Sequence, residues 1–208
     1  MKFTIGGMGL SGSTLCYNIF RLTSEIKGYP KPTKIHSWDF IATTSTTIFT
    51  IRDLRDTIAS MIRKDPHIWG DGKYMEAASY QMDGYYKSWN GKKKDIVWRY
   101  EDYKSNPYEY FSKVLSDNGV SLTEEQIKMV IDMAENIKNS PLIPSHQDHL
   151  STPDERAAWG LTRLSKRHIT NGGKIGDFDN FLTEEQIRNI ESKYRFFFEE
   201  HGYELKFK

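Results

Sequence analysis

The chain has 208 residues, 29 of them basic and 28 acidic, for a net charge of +1. That length suits a single domain, residues 1–208, able to bury roughly two-thirds or more of its unfolded surface. The charge balance excludes the bulk field that draws nucleic acid or membrane surfaces, no apolar run approaches a membrane span, and the single cysteine, Cys16, excludes an internal disulfide.

With a strand starting at once and no apolar leader pattern ahead of it, the expectation is a cytoplasmic chain whose partner is small. Any anion site must then be built locally. Residues 3–7 form an apolar strand that runs into Gly6-Gly7-Met8-Gly9-Leu10-Ser11-Gly12-Ser13-Thr14. Four glycines within seven residues free the backbone, and Ser11, Ser13 and Thr14 bring hydroxyls to a helix N-terminus, which makes a cradle for phosphate or sulfate. A turn built only for tight packing would need the same glycines. Ser13 stands where the G-x-x-x-x-G-K-[ST] loop has lysine, which argues against ATP or GTP hydrolysis.

Leu15, Ile19, Leu22 and Ile26 continue at helical spacing until Gly28, Pro30 and Pro32 stop the pattern. A short strand follows at 33–36, then a buried strand at 46–51 with Arg52 at its end. Helices are expected over 53–64, closed by Pro66, and over 73–89, with a further strand at 95–100. Alternating strands and helices predict an α/β domain with an open, mostly parallel sheet flanked by helices.

Leu122-Thr123-Glu124-Glu125-Gln126-Ile127 and Leu182-Thr183-Glu184-Glu185-Gln186-Ile187 look like a repeat, but each is a capping box with a hydrophobic staple that starts a helix. Residues 136–176, rich in Pro, Ser, His and Gly, are too long for a plain connector and are expected to be functional or mobile. One closing helix is expected over 183–201. Trp38, Trp69, Trp89 and Trp159 either line a binding cleft or pack in the core.

Five segments, taken together and in order, resemble the PAPS-dependent sulfotransferase family, which moves a sulfuryl group from 3′-phosphoadenosine 5′-phosphosulfate (PAPS) to an acceptor. Gly9-Leu10-Ser11-Gly12-Ser13-Thr14 resembles the P-K-S-G-T-T loop, and Lys34-Ile35-His36 resembles K-T-H. Residues Arg52 to Ser60 match R-x-x-x-D-x-x-x-S, Arg99 to Pro107 are close to R-Y-E-D-L-x-x-x-P, and Gly172 to Phe178 resemble R-K-G-x-x-G-D-W. The resemblance covers nearly the whole chain.

It implies a P-loop-NTPase-like sulfotransferase fold, PAPS as donor, 3′-phosphoadenosine 5′-phosphate (PAP) as product, and no metal. The acceptor would be a hydroxyl or amine of a small molecule or glycan, and the chain a monomer or homodimer. Gly9, Leu10, Ser11, Gly12, Ser13 and Thr14 would hold the 5′-phosphosulfate, and Arg52 and Ser60 the 3′-phosphate. Tyr100 would line the adenine pocket, Gly173 and Lys174 would lie near the 3′-phosphate, and His36 would take the acceptor proton with Lys34 beside it. Arg52 at a strand end with Ser60 two turns along a helix independently makes a second anion site, although a surface ion pair with Asp53 or Asp56 is the plainer role for Arg52.

The loop departs from the family pattern at Leu10, where lysine or arginine is usual. Asn171 and Gly172 likewise replace the Arg-Lys pair, with Lys166, Arg167 and Lys174 close by in sequence. Either Lys34 or another cation compensates, or the chain binds PAPS and PAP without catalysis.

Overall fold

The computed structural model describes residues 1–35, 45–70, 72–89, 94–141, 152–164 and 173–207. The strands are β1 (Phe3–Gly7), β2 (Thr33–Lys34), β3 (Thr46–Ile51) and β4 (Ile96–Arg99). Helices in the first half are α1 (Ser13–Lys27), α2 (Leu54–Lys64), α3 (Pro66–Trp69) and α4 (Tyr74–Trp89). After β4 come α5 (Tyr100–Ser105), α6 (Pro107–Asp117), α7 (Glu124–Asn136), α8 (Pro153–Thr162), α9 (Glu184–Lys193) and α10 (Arg195–Glu200).

The strands form one parallel sheet in the order β2-β1-β3-β4, with Ile5 opposite Ile48 and Ile51 opposite Arg99. Because successive side chains point to opposite faces, β3 sends Ile48 into one core and Phe49 and Ile51 into the other. Ile48 joins Phe3, Phe20, Trp98 and Phe111 under α1, α6 and α7, while Phe49 meets Tyr85, Phe197 and Phe198 under α2, α4 and α10. Covered on both faces, the strands read as apolar runs. From β1 the chain crosses to β2 on one side and then returns to β3 on the other, so the order reverses between β1 and β3. A crevice opens at the carboxyl ends of strands at such a switch point.

Among the differences from the sequence expectation are α3, which starts on the Pro66 expected only to close a helix, and two further elements. Within 136–176 lies α8, which starts on a full capping box between Thr152 and Glu155 with Pro153 in its first turn. This is the device that announced α7 and α9, hidden here in a stretch whose composition reads as loop. The closing helix is two: Tyr194 leaves helical geometry at φ −117°, and its hydroxyl lies 3.0 Å from Ser79 Oγ on α4. No glycine or proline marks that break, which belongs to packing between α4 and α9.

Arg55 ties α2 to the closing elements. It is 5% exposed, bonds Asp53 Oδ2 at 2.6 Å, pairs with Glu191 on α9, and donates to the Glu204 carbonyl at 3.0 Å. Its guanidinium lies against the rings of Phe178 and Phe198. Replacing Arg55 by leucine leaves two buried carboxylates without their cation, and urea unfolding should show a loss of about 3–5 kcal/mol. A loss below about 1 kcal/mol would show that water reaches Asp53 and Glu191 once the arginine is gone.

Candidate active site

The glycine-rich loop leaves β1 and enters α1 through Gly12, at φ 79°, with no side chain capping the helix. The first N–H groups of α1 therefore keep their bonding capacity for a ligand, with the positive end of the helix dipole behind them. Ser11 faces the other way. It is fully buried, donates to the Met8 carbonyl at 2.6 Å and lies 2.6 Å from Thr50 Oγ1, so its hydroxyl fastens the loop to β3. Ser13 and Thr14 line the cavity in front of the helix, and Lys34 reaches across from β2 to donate to Thr14 Oγ1. Burial, aided by the nearby charges of Arg163 and Lys64, pushes the Lys34 ammonium down from an ordinary 10.5 to about 8.

Arg52 follows β3, the neighbour of β1, and is 6% exposed. Its Nη2 donates to the Lys174 carbonyl at 2.7 Å and its Nη1 lies 3.5 Å from the Leu10 carbonyl, while Asp56 Oδ2 sits 3.5 Å from Nη2. The ion pair with Asp56 thus coexists with contacts to both loops; Asp53 pairs with Arg55. Asp56 also accepts from the N–H groups of Gly176 and Phe178, at 2.8 and 3.1 Å. Burial pushes its carboxyl up even against the pull of Arg52. Among the described residues, Arg52 Nε is buried with no hydrogen-bond partner.

Tyr100, at the β4–α5 corner, joins the two loops. Its hydroxyl donates to the Gly173 carbonyl at 3.0 Å, and the Arg52 guanidinium lies 4.9 Å from its ring centre. Burial pushes the phenol up to about 12. Gly12 and Gly173 both have positive φ, and a Cβ on them would lie 2.4 Å from Tyr100 Cδ2 and 1.9 Å from Tyr100 Oη. Both positions therefore require glycine for backbone and for space.

One cavity of about 850 Å³ is lined by Gly9, Leu10, Gly12, Ser13, Thr14, Lys34, Arg52, Ser60, Tyr100, Gly173 and Lys174. Of the site residues named from sequence, Ser11 is absent from this lining and His36 lies outside the described residues. Trp69 also lines the cavity, 5.5 Å from the ring of Tyr80; Trp38 lies outside the described residues. Sequence reasoning missed the polar end formed by Lys104, Glu135 and Lys138, where Glu135 bonds Lys104 at 3.0 Å. Nothing in their spacing links α5 to α7. For Asp56 it offered only the ion pair with Arg52, and missed that the same carboxylate accepts from the backbone of the Gly173 loop at Gly176 and Phe178. Eight lysine and arginine side chains line the cavity against Asp65, Asp83 and Glu135, a balance that favours anions.

No family model matches the chain, and no curated protein matches it in sequence. Solved structures do. Mouse sulfotransferase SULT7A1, complexed with PAP, aligns with TM-score 0.62 and 17% identity over 92% of this chain and 82% of that one. Retinol dehydratase, in complex with androsterone and the inactive cofactor PAP, aligns with TM-score 0.61 and 13% identity over 95% and 80%. The chain is a parallel α/β domain with the sulfotransferase fold.

Two outcomes follow from the geometry. Gly173→Ala drives a methyl into the Tyr100 hydroxyl, so the paired variant Gly173→Ala/Tyr100→Phe should recover part of the thermal stability lost in the single variant; no recovery would place the clash elsewhere. For Lys34, the unfolded chain binds the extra proton between about 8 and 10.5, so stability should rise with pH across that window. An anion held by the ammonium should bind more weakly over the same rise. Calorimetric titration with PAP checks this, and a pH dependence that persists in Lys34→Met would assign it to another group.

Proposed function

We propose that the chain is a PAPS-dependent sulfotransferase acting on a hydroxyl or amine of a small molecule or glycan. The observation that carries this reading is the pair of corners after the adjacent parallel strands β1 and β3, one with an uncapped helix start and one with buried Arg52, that open into one cavity. A nucleotide with phosphate groups at two separate positions suits that pair. The chain's residues also fit the donor: the first turn of α1 is uncapped, and Arg52 keeps an unbonded Nε among the described residues. The shared fold of two proteins crystallised with PAP supports the same ligand.

In this reading the N–H groups of the first turn of α1, with Ser13 and Thr14, hold the 5′-phosphosulfate. Arg52, Ser60 and the backbone at Gly173 and Lys174 hold the 3′-phosphate, and Tyr100 lies along the adenine. The donor supplies the sulfuryl group, whose bond to the bridging oxygen breaks as the acceptor atom bonds sulfur. His36 removes the acceptor proton. Lys34 already bonds Thr14 and stands in for the lysine absent at Leu10, stabilising charge on the leaving phosphate.

A second reading, binding without transfer, is favoured by one observation: Leu10 packs against the core cluster of Phe49 and Leu54, and so puts an apolar anchor where the charge would be. Calorimetry and a transfer assay separate the two. The protein should bind PAP more tightly than adenosine 5′-phosphate, and Arg52→Ala should cost about 10- to 100-fold in PAP affinity with little effect on adenosine 5′-phosphate. Failure to bind either PAP or PAPS would remove both readings; binding without sulfate transfer to any of a broad set of phenols, alcohols, amines and sugars would leave the second.

A further inference from the structure

The acid beside Tyr100 does work that neither the motif order nor the cavity lining reveals. Glu101 sits at the β4–α5 corner, and its Oε1 accepts the backbone N–H of Asp53 at 2.8 Å. That N–H belongs to the peptide that follows Arg52. Its other oxygen, Oε2, accepts the hydroxyl of Tyr203 at 3.0 Å. One carboxylate thus braces the corner that carries Arg52 to the corner that carries Tyr100, and a residue near the far end of the described chain fixes the brace. Tyr203 is itself held firmly: it is 7% exposed, stacks on Phe197 with ring centres 5.8 Å apart, and lies 4.2 Å under the Arg99 guanidinium. Arg55 holds the next residue by its carbonyl, and Glu191 accepts the N–H groups of Lys206 and Phe207 at 3.0 Å each.

An isolated buried carboxylate is costly, and burial pushes the Glu101 carboxyl up. Two donors aimed at its two oxygens, with Arg99 Nε 3.8 Å away, offset that cost only while the corner, the brace and Tyr203 stay in register. The bonds are therefore geometrically selective. They fix the backbone from which the Arg52 side chain leaves, and Arg52 must present its planar guanidinium to two oxygens of a tetrahedral phosphate within a few tenths of an ångström.

We propose that Glu101, fixed by Tyr203, is a positioning residue that sets Arg52 for the 3′-phosphate of the nucleotide, so that the segment Tyr203–Phe207 serves ligand selection as well as stability. This inference rests on the donor assignment above. Neither residue lines the cavity, and the effect passes through the peptide between Arg52 and Asp53. PAP and adenosine 5′-phosphate differ only in the 3′-phosphate, so the ratio of their affinities reads this effect where a general loosening would weaken both alike.

The experiment is calorimetric titration of the full chain with each nucleotide, for the unaltered protein and for Glu101→Ala, Glu101→Gln and Tyr203→Phe. Tyr203→Phe keeps the ring stack and should fold. It and Glu101→Ala should lose about fivefold or more in PAP affinity with adenosine 5′-phosphate changed by less than about twofold. Glu101→Gln should keep the preference, because its amide oxygen still accepts from Asp53 and its amide nitrogen can donate to Tyr203. If the unaltered protein prefers PAP and Tyr203→Phe retains that preference in full, the positioning role is overturned while the donor assignment stands. An equal loss for both nucleotides would likewise overturn it. If the unaltered protein shows no preference for PAP, the donor assignment fails and takes this inference with it.

Discussion

The ring of Tyr100 occupies space that exists only because Gly12 and Gly173 lack side chains, and the arrangement of the cavity follows from that contact. Gly12 begins α1 and Gly173 belongs to a segment more than 150 residues later, yet both are set by one aromatic side chain from a third corner. The hydroxyl fixes the Gly173 carbonyl, the ring face meets the Arg52 guanidinium, and the ring edge limits the approach of the glycine-rich loop. Each of these contacts is modest alone. Together they give loops with little regular structure a common reference point, and the parallel sheet supplies the rest of the register.

Topology explains why the charged groups converge. In a parallel sheet all strand ends of one kind lie along one edge, and a reversal of strand order opens a gap between the flanking connections. The loop after β1 and Arg52 after β3 border that gap, and Tyr100 follows β4 one strand further along. Lys34, on the opposite side in β2, reaches Thr14 from the edge strand. Four successive positions across the sheet thus contribute one group each. Their burial carries an electrostatic cost, visible in the lowered pKa of Lys34 and the raised pKa of Asp56, that an anionic ligand would offset for the lysine.

Much of this was legible in the sequence, because the determinants are local. Glycines before a helix, β-branched runs for β3 and the capping boxes at Thr123 and Thr183 each act within a few residues, and the structure has the corresponding elements. α8 carried the same local signal at Thr152, masked by its surroundings. What could not be read were pairings across the chain. The inward turn of the Ser11 hydroxyl depends on Thr50, the break at Tyr194 on Ser79, and the placement of Glu135 beside Lys104 on how α7 packs. Residue type says that such groups need partners, but only the tertiary arrangement says which.

Leu10 is one of two described non-glycine residues with positive φ, and its side chain packs against the core cluster while its carbonyl faces Arg52. A leucine held in left-handed backbone carries a cost that small polar residues or glycine would avoid, so its apolar contact helps to keep the loop in place. This makes the leucine hard to replace by a single change. Lysine at this position would bring a charge to the cavity lining but give up the anchor. The backbone strain and the apolar contact are therefore coupled, and a residue that kept one without the other would loosen the turn whose carbonyl faces Arg52.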